Sequence, residues 1–186
     1  MTPFLLLPAA LGGYALGVSR KGMSMRAPQK SSPVRGVPIF AWEKFVALMV
    51  VAPKKTITPR GRTGMFGLDA RRLSDVGFMT NARKTTVGSE SGVWAGEWVP
   101  PLTQQKFLES TPAQYEAFSR SMRRMVPKVA GMVGAPVGGA RATLSGLLAV
   151  GHLAGENGVT SWVCDPAVRE KFKATTRNFE KANGLF

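Results

Sequence analysis

Histidine and cysteine are almost absent from this chain: His152 and Cys164 are the only ones in 186 residues. A single cysteine excludes an internal disulfide and a cysteine zinc cluster. A single histidine speaks against a Ser-His-Asp triad and against a multi-histidine metal centre. Acids are scarce as well, with 11 Asp+Glu against 25 Lys+Arg and a formal net charge of +14. Any reaction would therefore fall to carboxylates, hydroxyls, amides and cations, and neither a metal nor a cofactor is expected. No P-loop, dinucleotide fingerprint or EF-hand loop is present. No recognised nucleic-acid motif accompanies the basic charge.

A hydrophobic share of 44% excludes a disordered polyelectrolyte. The length suits one domain with a core, or a small domain behind an ordered arm. With 21 Gly and 13 Pro, the chain should be rich in loops. The charge is lopsided. Residues 1–62 hold ten Lys/Arg and one acid, Glu43, for +9; the remainder carries +5. Such a surface attracts polyanions: nucleic acid, anionic lipid or cell-wall polymer. It equally suits a basic subunit seated against acidic neighbours in an oligomeric assembly.

Residues 1–18 are apolar and uncharged, and end at Ser19-Arg20-Lys21. The run is marginal for a spanning helix, and Pro8 and Gly12-Gly13 weaken it further. Its basic residues follow the apolar stretch, whereas an export signal has them first. It reads as a docking arm, a membrane anchor or an atypical export signal. Residues 19–37 read as a basic, extended linker.

The globular pattern starts at Pro38. The expectation is a mainly α domain over 38–186 with a short hairpin or turn region. Ile39–Val51 reads as a buried helix stopped by Pro53, and 54–68 as a turn or short hairpin. Asp69–Met79 reads as a short helix with Arg71 and Arg72 outward. Residues 80–103 read as a loop, and Thr103 as the cap of a helix over Gln104–Leu108. Thr111 to about Val129 is amphipathic, with Tyr115, Phe118, Met122, Met125 and Val129 recurring at helical spacing. A Gly-rich break over 130–140 precedes a buried central helix, Ala142–Leu153. Asn157–Val163 and Pro166–Asn183 supply the last helices. Little reads as strand.

Three segments, in order, resemble a known family. Thr58-Pro59-Arg60-Gly61-Arg62-Thr63-Gly64-Met65-Phe66-Gly67-Leu68 is similar to the Gly-rich stretch ending Gly-Leu-Met-Gln in lytic transglycosylases of the lysozyme-like superfamily. Leu148–Val159 resembles that family's central-helix motif, Ala-Tyr-Asn-Ala-Gly, with His152 at the tyrosine, Leu153 at the asparagine and Ala154-Gly155 matching. Phe107-Leu108-Glu109-Ser110-Thr111-Pro112-Ala113-Gln114 resembles the helix entry of virion-associated lysozyme-like domains of tailed phages. The resemblance implies a lysozyme-like fold over 38–186. It also implies a virion role at the tail tip or in the ejection apparatus, with peptidoglycan and other virion proteins as partners and the bacterial envelope as the site of action. The domain would bind peptidoglycan and, if active, cut it during genome entry. An inactive structural protein of the same fold, and a basic nucleic-acid-binding protein, are the alternatives.

Murein cleavage needs a carboxylic acid kept protonated by burial against apolar groups. Glu43, the sole acid of residues 1–68, stands between Trp42 and Phe45 and is the candidate acid. Its register departs from the family, where the glutamate closes its helix just before the turn. Here that position falls at Met49, and Glu43 lies sixteen residues ahead of Pro59. Either an extended helix still delivers Glu43 to the cleft, or the acid has been lost. Asp69 and Glu97 are lesser candidates, Asp69 reading chiefly as a helix cap. Trp94, Glu97 and Trp98 suit stacking on sugar rings, and His152 completes the candidate substrate-binding set, although a histidine on an apolar helix reads first as core. Cys164 beside Trp162 reads as buried.

Overall fold

The computed structural model describes residues 31–87 and 90–186. The apolar arm 1–18 and the linker as far as residue 30 lie outside the described residues. The described residues form eight α-helices and two small antiparallel sheets. The mainly α expectation therefore holds in its coarse form.

The helices are α1 (Ile39–Leu48), α2 (Ala70–Asp75), α3 (Gln104–Glu109), α4 (Thr111–Val129), α5 (Leu144–Ala154), α6 (Glu156–Cys164), α7 (Pro166–Lys171) and α8 (Lys173–Ala182). Side-chain oxygens start several of them by accepting otherwise orphaned backbone N–H groups. Asp69 accepts from the Arg72 N–H, and Thr103 from that of Lys106. At α4 the cap is Ser110, which accepts from the Ala113 N–H, and Thr111 is the first helical residue. The long C-terminal helix expected over 166–183 is two helices, because the backbone bends at Phe172 (φ −106°, ψ 57°).

The core is a single cluster around α5. Leu147, Leu148, Ala149 and Val150 are all fully buried, as its unbroken apolar sequence requires. Two glycine-dependent features set its surroundings. At Gly151 a Cβ would overlap the Met125 sulfur, so α4 and α5 pack closely only without one. At Gly155, φ is 77°, which breaks the chain direction between α5 and α6. Phe45, Phe66 and Phe118 fill the side towards α1, and Phe66 and Phe118 stack at 4.3 Å. Val34 belongs to the same core, so the packed chain begins ahead of the expected Pro38 boundary.

The clearest departure from the sequence reading is the loop expected over 80–103. Its first part is a hairpin of β1 (Met79–Val87) and β2 (Glu90–Trp98), with nine-residue strands in antiparallel register and one irregularity on each strand. Its strands lack a clean polar/apolar alternation because it is anchored mainly at its base. There Met79 and Phe78 are buried and Trp98 packs on Phe107 at 5.0 Å. The second sheet pairs β3 (Pro136–Val137) with β4 (Ala140–Arg141) inside the expected Gly-rich break.

Candidate functional site

The Gly-rich turn is held by reciprocal backbone bonds between Thr63 and Leu68 (2.9 and 3.1 Å). Gln114 clamps it from α4. Its Oε1 accepts the Met65 N–H at 2.8 Å, and its amide nitrogen lies 3.0–3.1 Å from the Lys54, Phe107 and Leu108 carbonyls. Leu68 is thereby seated in the core and Asp69 starts α2 beside the end of α5.

Arg72 then turns inward, against the expectation that both arginines of α2 face solvent. Its guanidinium donates to the His152 carbonyl at 2.6 Å and the Gly151 carbonyl at 2.7 Å. These lie in the last turn of α5, where unpaired carbonyls and the negative end of the helix dipole favour a cation. Burial pulls the guanidinium below its ordinary pKa and Asp69 opposes this, but an arginine stays charged. Arg71 does face outward, over the Trp94 ring at 5.4 Å.

His152 is buried, edge-on to Phe118 at 5.2 Å. Its Nδ1 lies 3.4 Å from Arg72 Nη1. Arginine can only donate, so Nδ1 accepts and the proton sits on Nε2. The Met49 backbone beside the ring favours its charged form. Burial first, then the Arg72 and Arg62 charges, push the imidazole down to about 3. It is a neutral strut joining the ends of α1 and α5.

These residues surround a groove of about 270 Å³. The Gly-rich turn contributes Arg62, Gly67 and Asp69; the α5–α6 joint contributes Leu153 to Asn157; Trp94 and Arg71 reach it from the hairpin and α2. Buried Met125 and His152 form its floor. At the far end Glu156 is held by Lys128 and by Arg124 at 3.8 Å, and Arg124 approaches Asp75 at 4.0 Å.

The structure thus brings together two of the five sequence-predicted site residues, Trp94 and His152, and adds Asp69. It separates the others. Glu43 is exposed on α1 and does not line the groove. Trp42 and Phe45 point into the core, so the apolar enclosure expected for Glu43 is absent: neighbours in sequence on a helix lie about 100° apart. Glu97 is not flanked by the two tryptophans in space either. Strand residues alternate faces, so Trp94 and Trp98 share one face of β2 while exposed Glu97 accepts from the Asn81 amide at 3.0 Å on the other. Trp98 is committed to packing on Phe107. Cys164, expected to be buried, is exposed.

Sequence reasoning missed Arg72 and Gln114. Gln114 stands in the segment 107–114, and no role was attached to it. Arg72 carried no signal, because its partners are backbone carbonyls eighty residues away. Among the described residues, no group of three or more His, Cys, Asp or Glu is placed to hold a metal. No described helix is long and apolar enough to cross a membrane. No protein-family model, curated protein or solved structure matches the chain.

Proposed function

We propose that this protein is a glycan-binding domain of lysozyme-like type, serving as a tailed-phage virion component that engages peptidoglycan during genome entry, and that it binds without cleaving. One observation carries this reading. The two segments that resemble the transglycosylase family, 58–68 and 148–159, are ninety residues apart in sequence yet line one groove, with Trp94 beside them. A half-buried indole in a polar groove, with Arg71 over one side of it, offers its remaining apolar surface to a sugar ring, while Asn157, Asp69 and Arg62 offer hydrogen bonds to hydroxyls.

Cleavage is disfavoured by what the carboxylates are doing. A general acid must stay protonated near neutrality. Glu43 is in solvent, Asp69 is accepting the α2 cap bond, and Glu156 faces two cations. None has the apolar enclosure that protonation requires.

The test is co-sedimentation of the full chain with purified peptidoglycan, alongside an assay for released muropeptides. We expect binding without release, and Trp94→Ala to weaken binding roughly tenfold, as loss of one stacking contact does. Muropeptide release that Glu43→Gln abolishes would replace this reading with the enzymatic one. Retention on DNA but not on peptidoglycan would replace it with the nucleic-acid reading.

A further inference from the structure

The large apolar side chains left in solvent are concentrated in one stretch. Phe40 (61% exposed), Leu48, Val50, Val51 (50%) and Ile57 all fall between positions 40 and 57. Along α1, residues 40, 44, 47 and 48 share one face, opposite the buried Trp42, Phe45 and Met49. The outward stripe of this helix is thus Phe, Lys, Ala and Leu, running directly into Val50 and Val51. Tyr115 borders it. Gln114, its neighbour in the chain, holds the Lys54 carbonyl, and the Tyr115 ring stands 5.4 Å edge-on from Phe66.

The same stretch is cationic. Lys44, Lys54, Lys55 and Arg60 are exposed. Among the described residues, none of them has a carboxylate within ion-pair distance, and Glu43 is the only acid between positions 31 and 68. Gln114 holds the Lys54 carbonyl and so ties this loop to α4.

We propose that this face seats the domain on an anionic lipid bilayer. Protruding Phe, Leu, Val and Ile side chains enter the boundary between headgroups and acyl chains, while flanking lysines neutralise the headgroups and Tyr115 sits at the polar level. Charge complementarity selects this occupant. A second copy would bring Lys44, Lys54 and Lys55 against their own equivalents. Nucleic acid or cell-wall polymer would use the lysines but leave the apolar side chains in water. The inference does not rest on the glycan reading, although Val51 adjoins Gly67 of the groove, and it concerns residues 40–57 rather than 1–18.

The full chain is titrated with phosphatidylglycerol-containing vesicles and with pure phosphatidylcholine vesicles, and partitioning is read by flotation. Two variants carry the test, Val50→Ser with Val51→Ser, and Lys54→Glu with Lys55→Glu. Ile57→Ser stands as a third should the valine pair lower the melting temperature. The expected result is selective binding to the anionic vesicles, reduced at least roughly tenfold by the apolar and by the charge changes alike. Equal binding by wild type and all variants would overturn the proposal and assign attachment to residues 1–18. Loss in the charge variant alone would also overturn it, leaving simple polyanion attraction. Absence of binding by the wild type, or equal binding to both lipids, would reject it outright.

Discussion

The groove and the α1 face are both rich in cations, yet they use them in opposite ways. In the groove, Arg62 is exposed, but Arg72 is tied to the α5 carbonyls, Arg71 lies over Trp94, and Arg124 and Lys128 face Glu156. On the α1 face, Lys44, Lys54 and Lys55 stand in solvent among exposed apolar side chains. Charge already satisfied internally contributes shape and rigidity; open charge contributes long-range attraction. Ligand binding in the groove should therefore respond weakly to salt, and attachment through the α1 face strongly.

Gln114 is where the two surfaces meet, and its loss should have the largest effect. Gln114→Leu keeps the volume but leaves the Met65 N–H and the carbonyls of Lys54, Phe107 and Leu108 without their shared partner. A buried polar group left without a partner costs about 1–3 kcal/mol, and the half-buried Met65 N–H loses the Gln114 oxygen that it donates to. We expect a loss of roughly 3 kcal/mol or more, read as a melting temperature lower by roughly 10 °C, with both surfaces impaired. A melting temperature within a degree or two of wild type would mean that the clamp is redundant.

Arg72 separates the surfaces. Arg72→Lys replaces a fork that spans two carbonyls with a single ammonium of shorter reach. Destabilisation of roughly 2 kcal/mol should follow, within the range for charged hydrogen bonds. Peptidoglycan binding should fall while vesicle binding persists. Parallel loss of both activities would show that the groove and the face are not independent.

His152 gives the comparison a pH dependence. The ordinary imidazole value is 6.5, and in the fold it is about 3. The unfolded chain therefore takes up a proton that the folded chain refuses. The contribution is complete above about pH 6.5 and is lost as the pH falls towards 3, at up to about 1.4 kcal/mol per unit. Melting between pH 7 and 5 should fall more steeply for wild type than for His152→Gln. Parallel slopes would mean that the ring titrates normally in the fold.

How far these features were legible in the sequence depends on whether each is local. The caps at Asp69 and Thr103, the central helix and the amphipathic α4 are read from neighbours a few residues apart, and they form as expected. The hairpin was missed because its stability comes from Trp98 on Phe107 and from its base against α2, contacts that leave no periodic pattern in its own strands. That 58–68 and 148–159 line one groove was not legible, because the contacts between them cross some ninety residues of chain. Glu43 and Glu97 failed as enclosed carboxylates for one geometric reason: side chains adjacent in sequence point in different directions on a helix, and to opposite faces on a strand. Adjacent aromatic residues are therefore poor evidence that a carboxylate is buried.

Glu43 should show the smallest effect on the fold and the sharpest contrast between the surfaces. It is exposed, and among the described residues no cation lies within ion-pair distance of it. Glu43→Gln removes one negative charge and little else, so stability should stay within about 0.5 kcal/mol, as for surface substitutions generally. Peptidoglycan binding should not change, because the side chain does not line the groove. Vesicle binding should strengthen by a few-fold, because the substitution removes the sole acid beside Lys44 and one charge near an anionic surface is worth about 1 kcal/mol. Melting, peptidoglycan co-sedimentation and vesicle flotation on one preparation read all three. Weaker peptidoglycan binding with unaltered vesicle binding would mean that Glu43 serves the glycan site after all, and would undo the division between groove and face.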